Sequence, residues 1–244
     1  MVAPSALTFT PANALTPQAV TLTGVNDAEV DGLVAYAIVT GTAVSGDLNY
    51  NGLNPPDVAA TNLDNDPIRL EGIAVNNGAA QRSMVKGITV TISQAVTLAD
   101  GAFTVRRADG ATAGLIVTPS VVGGRTVVAL TFAGPDVLAG SLADGNYTLV
   151  IDGLRVTDGL GQPLDGDGDG APGGTSLTAF HRLFGDSDGD RDVDTADLFL
   201  LRGAFGKTGS DVGFLAYFDS DGDGDVDAAD LFRFRQRFGV ALPP

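Results

Sequence analysis

Gly185-Asp186-Ser187-Asp188-Gly189-Asp190-Arg191-Asp192-Val193-Asp194-Thr195-Ala196-Asp197-Leu198-Phe199 returns 33 residues later, without a gap, as Phe218-Asp219-Ser220-Asp221-Gly222-Asp223-Gly224-Asp225-Val226-Asp227-Ala228-Ala229-Asp230-Leu231-Phe232. Each copy reads as a twelve-residue loop followed by a short helix. Aspartate occupies positions 1, 3, 5, 9 and 12: Asp186, Asp188, Asp190, Asp194 and Asp197 in the first, Asp219, Asp221, Asp223, Asp227 and Asp230 in the second. Two carboxylates 4 Å apart repel by about 1 kcal/mol in water and about 4 kcal/mol at an effective dielectric of 20. Five converging in one loop resist closure unless a cation joins them. A solvated acidic linker has no reason to keep the same spacing twice.

The spacing is that of an EF-hand-type calcium loop, in which the main-chain carbonyl of position 7, here Asp192 and Asp225, is a further ligand. Position 6 calls for glycine at the sharp bend. Gly224 meets this and Arg191 does not, so the first site is expected to be the weaker or more distorted one. Val193 and Val226 at position 8 suit a small pairing between the two loops. Leu198, Leu201 and Phe205 in the first copy match Leu231, Phe234 and Phe238 in the second, at i, i+3 and i+7, one face of a helix expected to pack into a core. Gly206 and Gly239 then end the helices. A duplicated loop-plus-exit-helix unit with Asp at position 12 resembles a type I dockerin module over roughly residues 185–239. That resemblance implies Ca2+ as cofactor and a cohesin-like module as partner. It also implies a partner surface at loop positions 10 and 11 and on the following helix: Thr195, Ala196 and Arg202, with Ala228, Ala229 and Arg235.

The rest of the chain reads as β-structure. In residues 1–66, Ala6–Thr10, Gln18–Thr23 and Leu33–Val39 are rich in strand formers, separated by Pro, Asn, Asp and Gly. Leu7-Thr8-Phe9-Thr10-Pro11, Val25-Asn26-Asp27, Asp31-Gly32 and Asp64-Asn65-Asp66 resemble the later part of a Calx-β repeat. That implies a sandwich lacking its opening strands and a calcium site at Asp27, Glu29, Asp64 and Asp66. Such an incomplete sandwich is expected to follow further residues of a longer parent. Residues 67–180 carry about seven strand-like runs between frequent turns, among them Ile68–Val75, Met84–Ile92, Phe103–Val105, Thr126–Phe132 and Tyr147–Val156. An Ig-like sandwich is expected there, with Val128, Leu130 and Phe132 on one face. Residues 181–244 form the paired-loop module. The fold class is therefore mainly β, two sandwich modules with the first incomplete, and a small α-helical calcium-loop domain at the C-terminus. Asp165-Gly166-Asp167-Gly168-Asp169-Gly170 repeats the first three ligand positions, but Ser176 stands at position 12. Asp165, Asp167 and Asp169 are thus a weaker third metal candidate, or an Asp-Gly turn closing the sandwich.

Composition excludes several functions. With 14 basic against 30 acidic side chains and a net charge of −16, the chain is unsuited to nucleic acid or an anionic membrane surface. Only Glu29 and Glu71 are glutamates, and sixteen aspartates lie between Asp165 and Asp230, which is ligand clustering rather than solubilising charge. No cysteine is present, so disulfides, zinc thiolates and cysteine nucleophiles are absent. The single histidine, His181, falls in an aromatic link before the first loop, where a structural role is expected, and no Ser–His–Asp arrangement surrounds it. The expectation is a non-catalytic, monomeric, calcium-binding C-terminal region of a secreted or surface bacterial protein. It would be attached through a cohesin, in the setting of polysaccharide degradation. The alternative is a calcium-rigidified adhesin-like stalk end with no cohesin partner.

Overall fold

The computed structural model describes residues 1–25, 33–63 and 66–244. These divide into two compact units, Met1–Asp66 and Pro67–Pro244. The protein is mainly β, with sandwich-like sheets and two short helices.

In the first unit, β1 (Val2–Ala3) pairs antiparallel with β2 (Thr21–Leu22), and β3 (Val34–Ile38) with β4 (Val58–Asn62). No described residue of this unit is buried; Phe9, Leu15, Val44 and Leu48 are all exposed. The expected strand at Ala6–Thr10 is not formed. Its backbone groups are taken by nearby side chains instead: Asn13 Oδ1 accepts from Thr10 N, while Gln18 Nε2 donates to Thr8 O at 2.8 Å. Local side-chain bonding of this kind competes with a ladder. The strand Val58–Asn62 was not expected, because Ala-Ala-Thr-Asn carries little apolar signal. Asp27, Glu29 and Asp64 of the expected Calx-β calcium site lie outside the described residues.

The second unit is built on one long sheet folded over itself. Its strands are β5 (Ile68–Val75), β6 (Gly87–Ile92), β8 (Phe103–Arg107), β9 (Thr112–Val122), β10 (Arg125–Ala133), β11 (Gly145–Asp152), β13 (Leu164–Asp165) and β14 (Thr175–Arg182), in the order β13-β5-β6-β10-β9-β8-β11-β14. A separate pair joins β7 (Thr97–Leu98) to β12 (Val156–Thr157). All pairings are antiparallel except β13 with β5. The fold-over falls at β8–β9, where only Val105↔Ala113 and Arg106↔Thr112 are in register. Strand alternation then aims one set of side chains inward. In β10, Thr126, Val128, Leu130 and Phe132 are buried and their neighbours face out, as the sequence pattern predicts. They meet Phe103, Val105, Tyr147, Leu149, Ile151 and Phe180 in a single core, with Tyr147 and Phe180 stacked at 5.5 Å.

β14 runs through residue 181 and delivers the chain directly into the paired-loop region. There α1 (Thr195–Ala204) and α2 (Ala228–Arg235) follow the two loops. A second core lies between them: Leu183, Phe184, Val193, Leu201, Ala204, Phe218, Val226 and Phe234, together with Met84 from the sandwich. Phe218 meets Phe234 edge-on at 6.2 Å. The position-8 valines do not pair with each other. Val193 exchanges bonds with the segment after α2 (Val193 N to Val240 O 3.0 Å, Gly239 N to Val193 O 2.7 Å), and Val226 does the same with the segment after α1 (Gly206 N to Val226 O 2.8 Å, Val226 N to Lys207 O 2.9 Å). Each loop is thus closed by the exit of the other repeat, so the two halves fold as one body.

Candidate metal centres and docking face

Both loops share one hydrogen-bond frame. The position-1 carboxylate turns inward and caps the bend. Asp186 accepts from Gly189 N at 2.6 Å and Arg191 N at 3.2 Å, and Asp219 accepts from Gly222 N at 2.7 Å and Gly224 N at 3.1 Å. Position 5 caps position 7: Asp190 accepts from Asp192 N, and Asp223 from Asp225 N. Position 12 ties the loop's start to the helix. One oxygen of Asp197 accepts from Ser187 N (2.7 Å) and Ser187 Oγ (2.6 Å), the other from Asp194 N (2.8 Å), and Asp230 repeats this with Ser220 and Asp227. Asp194 and Asp227 at position 9 are the N-caps of α1 and α2, accepting from Ala196 N and Ala229 N at 2.7 Å. Position 12 therefore completes a capping box as well as the ligand set.

Carboxylate oxygens of Asp186, Asp188 and Asp197 lie within 4.8 Å of one another, as do those of Asp192, Asp194 and Asp197; the second loop repeats both groups with Asp219, Asp221, Asp230 and Asp225, Asp227, Asp230. Asp186, Asp197, Asp219 and Asp230 are buried. Crowding raises carboxyl pKa values, since burial and like charges both disfavour the ionised form. Asp188, Asp192, Asp221 and Asp225 are all pushed up, first by desolvation and then by neighbouring aspartates. Asp192 Oδ1 and Asp225 Oδ1 are buried with no hydrogen-bond partner, at the same position of both loops. An all-oxygen donor set with repeated orphaned oxygens fits a hard cation such as Ca2+.

The departure at position 6 costs less than the sequence suggests. Arg191 adopts φ +82°, close to the +96° of Gly224, so the bend is preserved. Its guanidinium donates to Asn146 Oδ1 at 2.9 Å and Pro243 O at 3.1 Å, which holds it there. The Asp165 loop has the same frame in its first half. Asp165 accepts from Gly168 N (2.7 Å) and Gly170 N (2.9 Å), and Asp169 from Ala171 N (2.8 Å). Asp165, Asp167 and Asp169 come together. Position 12 does not join them, because Ser176 is held in β14 opposite Ile151.

Thr195, Ala196, Arg202, Ala228, Ala229 and Arg235 are all exposed on the two helices. Between them runs a groove lined by Leu198, Leu201, Arg202 and Phe205 and by their repeat counterparts Leu231, Phe234, Arg235 and Phe238. Leu201 and Phe234 are buried as expected, but Phe205 and Phe238 are nearly half exposed. α1 ends at Ala204 and α2 at Arg235, so both phenylalanines lie past the helix ends, off the face that the periodicity assigns them. Phe199 and Phe232 were missed: they are 77% and 63% exposed at equivalent positions. The signal was available, since an aromatic recurring at the 33-residue offset outside the i, i+3, i+7 stripe points away from the core.

Residues 184–238 match the family model described as the dockerin type I domain. The duplicated loops and helices are those of a dockerin module. No curated protein and no solved structure matches the chain. No helix among the described residues is long and apolar enough to cross a membrane.

Proposed function

We propose that the C-terminal module binds two Ca2+ ions and attaches its parent protein to a cohesin-type partner. The first loop would use Asp186, Asp188, Asp190, Asp194, Asp197 and Asp192, and the second their equivalents at the 33-residue offset. The observation that carries this is the repeated frame: two loops with the same ligands, the same orphaned oxygen and the same capped helix. Bound calcium neutralises carboxylates that otherwise repel, and the chain's part is to hold them ready. The partner surface is the exposed pair of helix starts with the Arg202 and Arg235 edges, to which the exposed Phe199 and Phe232 add apolar area. Near-duplication of this surface offers two docking orientations related by a half-turn.

The chain itself is proposed to be non-catalytic, and its parent to be a secreted or surface protein with polysaccharide degradation as the setting. His181 supports the first point, being buried and committed to an aspartate. The test is calorimetry of the full chain, first with calcium and then with a panel of cohesin modules. The double variant Thr195→Asp, Ala228→Asp is expected to keep both calcium sites and lose the cohesin. Unchanged cohesin affinity would reject the surface. Calcium binding with no cohesin captured by the wild type would favour the stalk reading. A third, weaker calcium event would be traced to Asp165, Asp167 and Asp169.

A further inference from the structure

Resting on the calcium reading above, we infer that the β-sandwich supplies a positioning residue to the first calcium site: His181, whose Nε2–H donates to the position-1 ligand Asp186. The contact is 2.7 Å between Nε2 and Asp186 Oδ2, and both side chains are buried. His181 belongs to β14, where it pairs with Asn146 of β11, so its backbone is fixed by the sandwich rather than by the module. The second repeat has no counterpart. At the 33-residue offset stands Phe214, and among the described residues no sandwich side chain bonds a carboxylate of the second loop.

Other bonds seat the first loop on the same support. Arg82 N donates to Asp186 O at 2.9 Å, and Gly185 N donates to Ser83 Oγ at 2.9 Å. At Gly189 a side chain would run into the carbonyl of Ala80. Arg191 reaches Asn146, the residue paired with His181. Asp186 is therefore gripped from two directions, by loop amides and by a strand. One oxygen is turned toward the sandwich and the carboxylate plane is set before an ion arrives. Groups that orient a ligand without touching the ion typically change metal affinity 10- to 100-fold when removed. The first site is thus a property of sandwich and module together, whereas the second depends on its own repeat for ligand orientation.

The experiment is calcium titration of the full chain, followed by NMR at the amides of Gly189 and Gly222, which donate to Asp186 and Asp219 and so report each loop separately. His181→Ala is expected to weaken the Gly189 transition about 10- to 100-fold and leave the Gly222 transition within about twofold. His181→Gln, which keeps an N–H donor, is expected to recover part of the loss. The inference is overturned if both transitions stay put in His181→Ala. It is equally overturned if both weaken alike, because that would be general destabilisation, or if the glutamine is as poor as the alanine. If neither amide of the wild type responds to calcium, the calcium reading fails first and this inference with it.

Discussion

Replacing Asp144 with alanine tests whether sandwich and module are joined energetically or merely adjacent. Asp144 precedes β11, and its carboxylate takes three donors. Arg182 Nη1 comes from the end of β14, Phe184 N (2.8 Å) from the chain entering the module, and Arg237 Nε (3.0 Å) from just beyond α2. Arg182 is 6% exposed and its Nε has no partner, so removing the carboxylate leaves a buried guanidinium almost unpaired. Breaking a buried ion pair from one side costs about 3–5 kcal/mol. Asp144 is itself 26% exposed, which places the expectation at the lower end, about 3 kcal/mol. For a unit of this size that is roughly a 6–12 °C fall in Tm, read by thermal unfolding in saturating calcium. Asp144→Ala with Arg182→Met removes both partners and leaves an apolar side chain beside Met84, and should recover much of the loss. Burial raises the Asp144 pKa, but Arg182, the Phe184 amide and Arg237 outweigh it and hold the group below the usual carboxylate range. A depressed folded-state value means stabilisation that is complete above the unfolded pKa near 4 and lost as pH falls through the folded value. The gap in Tm between wild type and Asp144→Asn should therefore close as pH falls through the folded value. A single alanine variant melting within about 2 °C of wild type, below the shift that roughly 1 kcal/mol would give, would refute the reasoning.

Chelation should act chiefly on the module. At free calcium 100 times Kd, each site adds about 2.7 kcal/mol, so EDTA is expected to lower the Tm of the loop region, with near-ultraviolet dichroism of Tyr217 following the loss. Phe234→Ala, at a side chain with no exposure in the second core, should cost about 3–5 kcal/mol, measured by urea unfolding, with the sandwich strands still protected from hydrogen exchange. Arg191→Gly relieves an αL arginine worth about 1–2 kcal/mol but removes charged donors to Asn146 and Pro243 worth about 1.5–3 kcal/mol. A small net destabilisation is expected in the full chain by thermal unfolding, and a clear gain in stability would show that the two bonds carry nothing.

The parts of this protein visible in the sequence are those written in short-range spacing. Ligand positions, N-caps and glycine stops lie within twelve residues of one another, and the period-2 pattern of Thr126–Phe132 names its own buried face. What was not visible depends on partners far along the chain. Nothing in Val193 says that it pairs with Val240 rather than Val226, since both choices bury the same valine. Ser83 donates to Tyr217 O at 2.6 Å across 134 residues, and no local pattern marks a serine for that role. Helical periodicity ranks Phe205 with Leu198 and Leu201, yet the helix stops one residue before it, at Ala204, and Phe205 lines the groove.

The asymmetry between the repeats follows from those distant partners. Read by itself, Arg191 is a defect in a glycine position, and Ala204 is an ordinary small residue at the place where the second repeat has Arg237. With the sandwich present, each difference has a contact. Arg191 faces Asn146, Arg237 faces Asp144, and a glycine or an alanine at either place would reach nothing. Ala204 is fully buried in the module core, where an arginine would have no carboxylate to meet. Three outward positions show the opposite behaviour: Phe199 and Phe232, Arg202 and Arg235, Ala196 and Ala229 are the same in both copies. Divergence at Arg191 and Arg237 therefore falls where the repeats touch the sandwich, while on the exposed face these three positions match and others, such as Thr195 against Ala228 and Gly203 against Gln236, do not.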